Sequence, residues 1–241
     1  MRVTIVGLGG IGSHLADWIA LYLSHLSGEH TLTLVDGDTF EERNRERQSF
    51  ETPGNKAQSI GETLARKYAG LELQIVPEYL RPENADFILV EEEIVFLCVD
   101  NHKTRRIVSD VAGTCENITV ISGGNELTDG NVQAYLRRDG RDVTPSLTDY
   151  HPEIEHPVDK APFEKSCEEL AKQGEPQIMF TNLMAAVLMA NAFRQVTTGD
   201  LPYSEVFFDT ILNAVRTRNF APKTATSLDR EPVTTATEVG S

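Results

Sequence analysis

The stretch Val3-Thr4-Ile5-Val6-Gly7-Leu8-Gly9-Gly10-Ile11-Gly12 decides how this chain is read. An apolar, β-prone run ends in a glycine-spaced turn, and a pattern of helical period continues over residues 11–25. A strand, a glycine turn and a helix in that order aim free backbone N–H groups and the positive end of a helix dipole at a phosphate. Gly7, Gly9 and Gly12 have the spacing of a dinucleotide fingerprint, and Gly10 allows still closer approach. A second strand pattern, Leu32-Thr33-Leu34-Val35, then delivers Asp36-Gly37-Asp38. An acid in the place of Asp36 suits the two hydroxyls of an adenosine ribose. Asp38 is open to three readings: orienting the segment that follows, assisting a metal, or closing a turn.

That segment is Arg43-Asn44-Arg45-Glu46-Arg47-Gln48, followed at Gly54-Asn55-Lys56 by a lysine opening the next helix. It is the dense basic run of a chain whose 22 lysines and arginines face 37 acids, a net charge of −15. Glu41, Glu42 and Glu46 allow a plain reading as a solvated loop. Its position just past the glycine crevice favours another: arginine forks suit phosphate oxygens and lysine supplies a compact charge. A cation at a helix start opposes the dipole there, so Lys56 requires an anionic partner. Asn44, Arg47 and Lys56 together suit more negative charge than a nicotinamide dinucleotide carries, which points to a triphosphate.

The acidic surface argues against nucleic acid and anionic membrane as partners. Residues 177–193 are apolar, but Asn182 and Asn191 interrupt them, so no membrane span is expected. Cys98, Cys115 and Cys167 show no paired spacing, and the chain opens on a strand without a signal-like segment; a reducing, cytoplasmic setting is expected.

Outward from the glycine turn, strand and helix patterns alternate: a helix over 55–69, a strand at 72–76, an apolar run at 94–99 ending in Asp100, a helix over 102–115 and a strand at 118–122. Such alternation predicts an α/β fold, a Rossmann-like doubly wound and mostly parallel sheet, with its ligand crevice at the carboxyl ends of the strands. Residues 131–136 suggest an edge strand, 177–196 a helix and 204–219 a strand pair, giving an antiparallel C-terminal portion. We divide the chain into an ATP-binding region at 1–136, a long crossover or active-site loop at 137–176, a helix with short strands at 177–221 and a disordered tail at 222–241.

Gly-x-Gly-Gly-x-Gly, Asp36-x-Asp38, Asn44-x-x-Arg47-Gln48, Lys56 and Cys98-Val99-Asp100-Asn101-x-x-x-Arg105 resemble the ThiF/MoeB/HesA family, bacterial relatives of the ubiquitin-activating enzymes. The resemblance covers roughly residues 1–136 and, more loosely, 167–196. It implies Mg²⁺ and ATP as cofactors and adenylation of the C-terminal glycine of a small ubiquitin-like protein of ThiS/MoaD type, releasing pyrophosphate. Carried over, Gly7, Gly9, Gly10 and Gly12 line the nucleotide, Asp36 holds the ribose with Asp38 beside it, and Asn44, Arg47, Gln48 and Lys56 grip the phosphates. Asp100 holds Mg²⁺ with Asn101 beside it. The resemblance also implies a homodimer. The paired C-x-x-C motifs with which related enzymes bind structural zinc are absent, as is an N-terminal extension carrying an arginine.

Cys167 matches the place where some relatives carry a nucleophile that takes the acyl group. A helix start favours its thiolate, whereas Glu168 and Glu169 oppose it, so an incidental thiol remains the alternative. Cys98 is expected in the core. His151, His156 and Cys167 share one loop, with spacings that match no familiar zinc site. Methionines 179, 184 and 189, with neighbouring apolar residues, suggest a core helix first and a subunit interface second. A nicotinamide-dependent oxidoreductase would use only the glycines and Asp36, and a non-catalytic ThiF-like scaffold would use none of the charges.

Overall fold

Strands rich in β-branched and aliphatic residues, buried on both faces, build the centre of a nine-stranded sheet in the computed structural model, which describes residues 1–41, 53–165 and 179–219. Along the chain, β1 (Arg2–Val6) leads through α1 (Gly12–His25) to β2 (Thr31–Val35). A small ribbon of β3 (Thr39–Phe40) and β4 (Gly54–Asn55) precedes α2 (Lys56–Lys67) and β5 (Glu72–Val76). Next come α3 (Pro82–Ile88), β6 (Glu93–Leu97), α4 (His102–Thr114), β7 (Ile118–Asn125), β8 (Asp129–Arg138) and β9 (Arg141–Asp142). Two short helices, α5 (Leu147–Tyr150) and α6 (Pro152–Glu155), are followed by a 3-10 turn at Pro162–Glu164. The described C-terminal part holds α7 (Met179–Thr198), β10 (Glu205–Asp209) and β11 (Ala214–Arg218).

The strand order is β11-β10-β8-β7-β6-β1-β2-β5, with β9 on β8. β5, β2, β1, β6 and β7 run parallel, and pairing is antiparallel from β7 through β8 and β10 to β11. This is the mostly parallel sheet with an antiparallel C-terminal part that the sequence predicts. The chain winds from β1 towards β5 and then returns to β6 on the other side of β1. The order therefore reverses at β1, and a crevice opens past the carboxyl ends of β1 and β6.

Period-two alternation sends Val3 and Ile5 into one layer and Val6 into the other. The first layer is closed by α1, α2 and α7, through Leu15, Ile19, Ile60, Leu64, Met189 and Phe193. The second is closed by α3, α4 and the segment after β9, through Ala85, Ile107, Val108, Leu147 and Ile154. Among the described residues no helix is long and apolar enough to cross a membrane.

Three differences from the sequence reading have physical causes. Residues 131–136 lie in β8, an interior strand between β7 and β10, not at an edge; its alternating polar residues find partners inside the sheet. Helix α3 goes unread because it is one short helix, begun by Pro82 and by Asn84 accepting from Arg81 N at 2.8 Å. The described part of the segment expected to be a loop carries α5 and α6, anchored by the buried side chains of Leu147, Ile154 and Ala161. Helices of four residues are too short to show a period. The tail at 222–241 lies outside the described residues.

The antiparallel portion is locked by Glu205, whose side chain is fully buried. Its carboxylate accepts from Asn131 Nδ2 (2.7 Å), pairs with His151 Nε2 (2.6 Å) and faces Arg218 Nη1 (2.8 Å), so β8, β10, β11 and the α5–α6 junction share one centre. His151 Nδ1 meets Glu153 at 2.9 Å, and the bond to Glu205 raises the imidazole pKa against the opposing effect of burial. Replacing Glu205 by Ala is expected to cost about 3 kcal/mol, read from urea denaturation, because it empties a buried site and takes the shared acceptor from Asn131 and the half-buried His151. The His151 contribution is complete below the unfolded pKa of about 6.5 and is lost as pH rises through the raised folded value. The stability gap between the native chain and His151→Asn is therefore expected to be full below about pH 6 and to shrink as the pH rises through the raised folded value. A gap of constant size would contradict that linkage.

Candidate active site

Three glycines of the turn, Gly7, Gly10 and Gly12, each have a steric reason. Gly7 has φ +89°, and a Cβ there would lie 2.8 Å from the carbonyl oxygen of Cys98. A Cβ on Gly12 would lie 1.9 Å from the Gly7 carbonyl oxygen, and one on Gly10 would lie 2.1 Å from Asn182 Nδ2, on α7. The Gly9 carbonyl accepts from Ser13 N at 3.1 Å and starts α1. No side chain caps that start and no acid lies in its first turn. The partial positive charge of α1 is therefore offered to whatever enters the crevice. Ser13 Oγ, a hydroxyl the sequence reading passed over, is buried here with no hydrogen-bond partner among the described residues.

Asp36 follows β2 and is 8% exposed. Its Oδ2 accepts from Leu8 N (2.6 Å), its Oδ1 accepts from Asp38 N (2.8 Å), and its carbonyl accepts from Asn55 Nδ2 (2.9 Å). Burial raises the Asp36 pKa, outweighing the Lys56 charge and the two backbone donors that act the other way. Asn55 also caps α2, its Oδ1 accepting from Gln58 N at 3.1 Å.

Lys56 is only 7% exposed, and its Nζ lies 2.5 Å from Asp38 Oδ2 and 5.9 Å from the centroid of the Phe40 ring. A helix-start cation is thus already balanced, by an acid that the sequence reading left with three roles. The Asp38 side chain is half exposed, so water weakens the pair and Lys56 can be re-aimed at small cost.

Asp100 stands exposed beyond β6, and Asn101 is buried behind it, capping α4 through Thr104 N at 2.8 Å. Arg105 on α4 is half-buried and donates to Ser122 Oγ (2.5 Å), to the Val99 carbonyl (2.7 Å) and to the Gly123 carbonyl (2.8 Å). It holds the ends of β6 and β7 in register. Tyr79 was not anticipated: one aromatic residue after a strand carries no motif. Its backbone and ring press on Gly37, where a Cβ would lie 2.6 Å from Tyr79 N. Burial, helped by the charges of Asp38, Asp36 and Asp100, pushes its phenol up to about 12. Three carboxylates acting on one hydroxyl share one neighbourhood. Direct contacts link the glycine turn to Asp36 through Leu8 N, Asp36 to Asp38, Asp38 to Lys56, and Gly7 to Cys98 and Val99, the residues just before Asp100 and Asn101.

Asn44, Arg47 and Gln48, with Arg43 and Arg45, lie outside the described residues, as does Cys167. Cys98 is a core residue, as expected, and burial pushes its thiol up to about 12. His151 is engaged by Glu205 and Glu153, and among the described residues no three histidines, cysteines or acids are grouped to hold a metal.

The pattern of the ThiF family matches residues 1–229. The chain belongs to the ThiF family. It resembles the adenylyltransferase and sulfurtransferase uba4 of Aspergillus fumigatus, at 40% identity over 121 residues, 46% of this chain and 22% of that protein. The Yarrowia lipolytica protein of the same description is 28% identical over 138 residues, 56% of this chain and 33% of its own. The matches thus span roughly a fifth to a third of the length of these curated relatives. Among solved structures, E. coli MccB with ATP superposes with a TM-score of 0.67 at 18% identity, covering 94% of this chain and 65% of that one. PaaA gives a TM-score of 0.67 at 20% identity, covering 90% of this chain and 63% of that one. At such identities the likeness is one of fold.

Gly12→Ala tests the cradle directly. A methyl group 1.9 Å from a backbone oxygen has to open the turn, so the melting temperature is expected to fall by at least several degrees. An unchanged melting temperature would mean that the turn is not packed as tightly as this geometry requires.

Proposed function

We propose that this ThiF-family chain is an ATP-dependent adenylyltransferase acting on the C-terminal carboxylate of a small ubiquitin-like protein of ThiS/MoaD type. The observation that carries the reading is that Asp36 accepts from Leu8 N beside the uncapped start of α1 and that Lys56 pairs with Asp38, while Gly7 packs against Cys98 and Val99, the residues just before Asp100. The adenylyltransferase names of its curated relatives, and the ATP in one MccB structure of the same fold, support it.

In this reading Asp36 takes the ribose hydroxyls. Each of its oxygens already accepts one backbone N–H and keeps a further lone pair. Gly7, Gly9, Gly10 and Gly12 let the nucleotide approach the N–H groups of α1. Lys56 exchanges Asp38 for the phosphates, alongside Asn44, Arg47 and Gln48. Asp100, with Asn101 beside it, has the chemistry for Mg²⁺, which is typically held by one or two carboxylates together with phosphate oxygens. When bound, the ion would neutralise charge on those oxygens.

The reaction joins a carboxylate oxygen of the partner to the α-phosphorus and breaks the bond to the bridging oxygen, so the electron pair leaves with pyrophosphate. A carboxylate is ionised at neutral pH, and no general base is required. Positioning and fixed positive charge carry the rate. Cys167 is the proposed acceptor of the activated acyl group. Exposed Trp18, Leu21 and Tyr22 on α1 and Val187 on α7 support a homodimer, and the reducing cysteine pattern supports a cytoplasmic location.

Exchange of labelled pyrophosphate into ATP, dependent on a carrier protein ending in glycine, is the expected activity. Lys56→Ala is expected to lower it about 100-fold, the usual effect of removing one preorganised donor. Binding of NAD without ATP, or exchange indifferent to Lys56→Ala, would contradict the assignment. Cys167→Ala is expected to leave exchange intact while abolishing any thiol-sensitive conjugate.

A further inference from the structure

His151 stands where α5 ends and α6 begins, and its ring lies between two carboxylates on different elements. Nδ1 is 2.9 Å from Glu153 Oε1 on α6, and Nε2 is 2.6 Å from Glu205 Oε1 on β10. An ionised carboxylate only accepts hydrogen bonds, so the two contacts are made together by an imidazolium, which donates from both nitrogens. The neutral ring has one N–H and satisfies one acid. The two acids then behave differently. Glu205 is fully buried, has no water to turn to, and also serves Asn131 Nδ2 and Arg218 Nη1, so Nε2 keeps its proton. The Glu153 side chain is 48% exposed and turns to water once the lone pair of Nδ1 faces it. The bond to Glu205, and after it the bond to Glu153, hold the imidazole above its ordinary value against the cost of burial.

From His151 to Lys165 the chain forms a strap across α4. Arg106 Nη1 donates to the Glu155 carbonyl (3.1 Å), Asp159 Oδ2 accepts from His102 N (2.6 Å), and Lys103 pairs with Glu164 (2.5 Å). Ile154 and Ala161 are buried beneath it. These polar ties join the strap to a helix, whereas His151 joins it to the sheet. Glu205 faces the ring from β10, with Arg218 of β11 behind it at 2.8 Å and Tyr150 of α5 stacked on that guanidinium. β8 offers the uncharged Asn131, and from α4 the charges of His102 and Arg105 act on Glu153. We propose that His151 is a proton-controlled clasp: doubly protonated, it bridges Glu205 and Glu153 and seats α6 and the strap, and on giving its Nδ1 proton to water it releases Glu153, so the strap opens more often while the sheet stays folded. A proton bound more tightly in the closed form stabilises that form below the ordinary histidine value of about 6.5. The stabilisation is lost as the pH rises through the raised closed value. The clasp is a local device, separate from nucleotide chemistry. Along the chain the strap is followed by Cys167.

The test uses the full chain and two readouts. Nitrogen-15 NMR of the His151 ring is expected to show both nitrogens protonated at about pH 6 and Nε2 alone protonated above the raised value. Amide hydrogen exchange, corrected for the intrinsic rate at each pH, reads the strap. Protection over residues 152–165 is expected to be full up to about pH 6 and then to fall at least about threefold, while the amides of β6 and β7 keep theirs. Glu153→Gln alters a half-exposed side chain whose amide can accept from the charged ring or donate to the neutral Nδ1. Its strap is therefore expected to stay protected at every pH. His151→Asn is expected to give low strap protection that no longer varies with pH. Constant protection in the native chain, a Glu153→Gln strap that still loosens with pH, or a loss shared equally by β6 and β7 would overturn the clasp. A single protonated ring nitrogen at about pH 6 would do the same. Neither readout involves ATP or a carrier, so failure of the clasp leaves the adenylation reading untouched, and failure of that reading leaves the clasp.

Discussion

The carboxyl group of Asp36 sits where water hardly reaches, and it is held there by two backbone N–H groups that themselves lack helix or sheet partners. Leu8 N comes from the loop after β1 and Asp38 N from the loop after β2, so one side chain fixes two crevice walls relative to each other. Burying such a group is tolerable only when its oxygens are satisfied. The rest of the crevice follows from that anchor. The Asp36 carbonyl takes the Asn55 amide, Asn55 starts α2, and α2 begins with Lys56, which meets Asp38. The glycine turn and Lys56 are thus linked through a few residues.

The late part of the chain supports this early part from behind. Asn182 on α7 fills the space beside Gly10, and Met189 on the same helix presses on Gly123, where a Cβ would lie 2.2 Å from its sulfur. Gly10 lies in the turn just before α1 and Gly123 in the second half of β7, so α7 packs against both the turn and the sheet. Arg105 performs the corresponding service between β6 and β7 with bonds to two carbonyls and a serine. Because these supports come from α4 and α7, the crevice is a property of the assembled domain and not of the first βαβ unit.

Much of the parallel half was legible in the sequence because its signals are local. The run at β6 reads as a buried strand since both faces are covered, and Asp36 and Asp100 are found at strand ends by simple counting. Tyr79 and Asp159 were not legible. Each acts through contacts with residues distant in sequence: Tyr79 with Gly37, and Asp159 with His102. Lys56 was legible as a charge in need of a partner, but the nearest partner, Asp38, became evident only once β3 and β4 paired and brought residues 38 and 56 together.

By itself the sequence determined the α/β class, the glycine turn after β1, the acids after β2 and β6, and the family motif, because strand length, glycine spacing and charge order are properties of short windows. The tertiary structure alone decided that β8 is interior, that Glu205 joins β10 to His151 and Arg218, and that Gly10 is required by Asn182 as much as by any nucleotide. The physical reason is range. Periodicity and propensity act over a few residues, whereas burial, ion pairing and steric exclusion are settled by which distant segments the fold packs together.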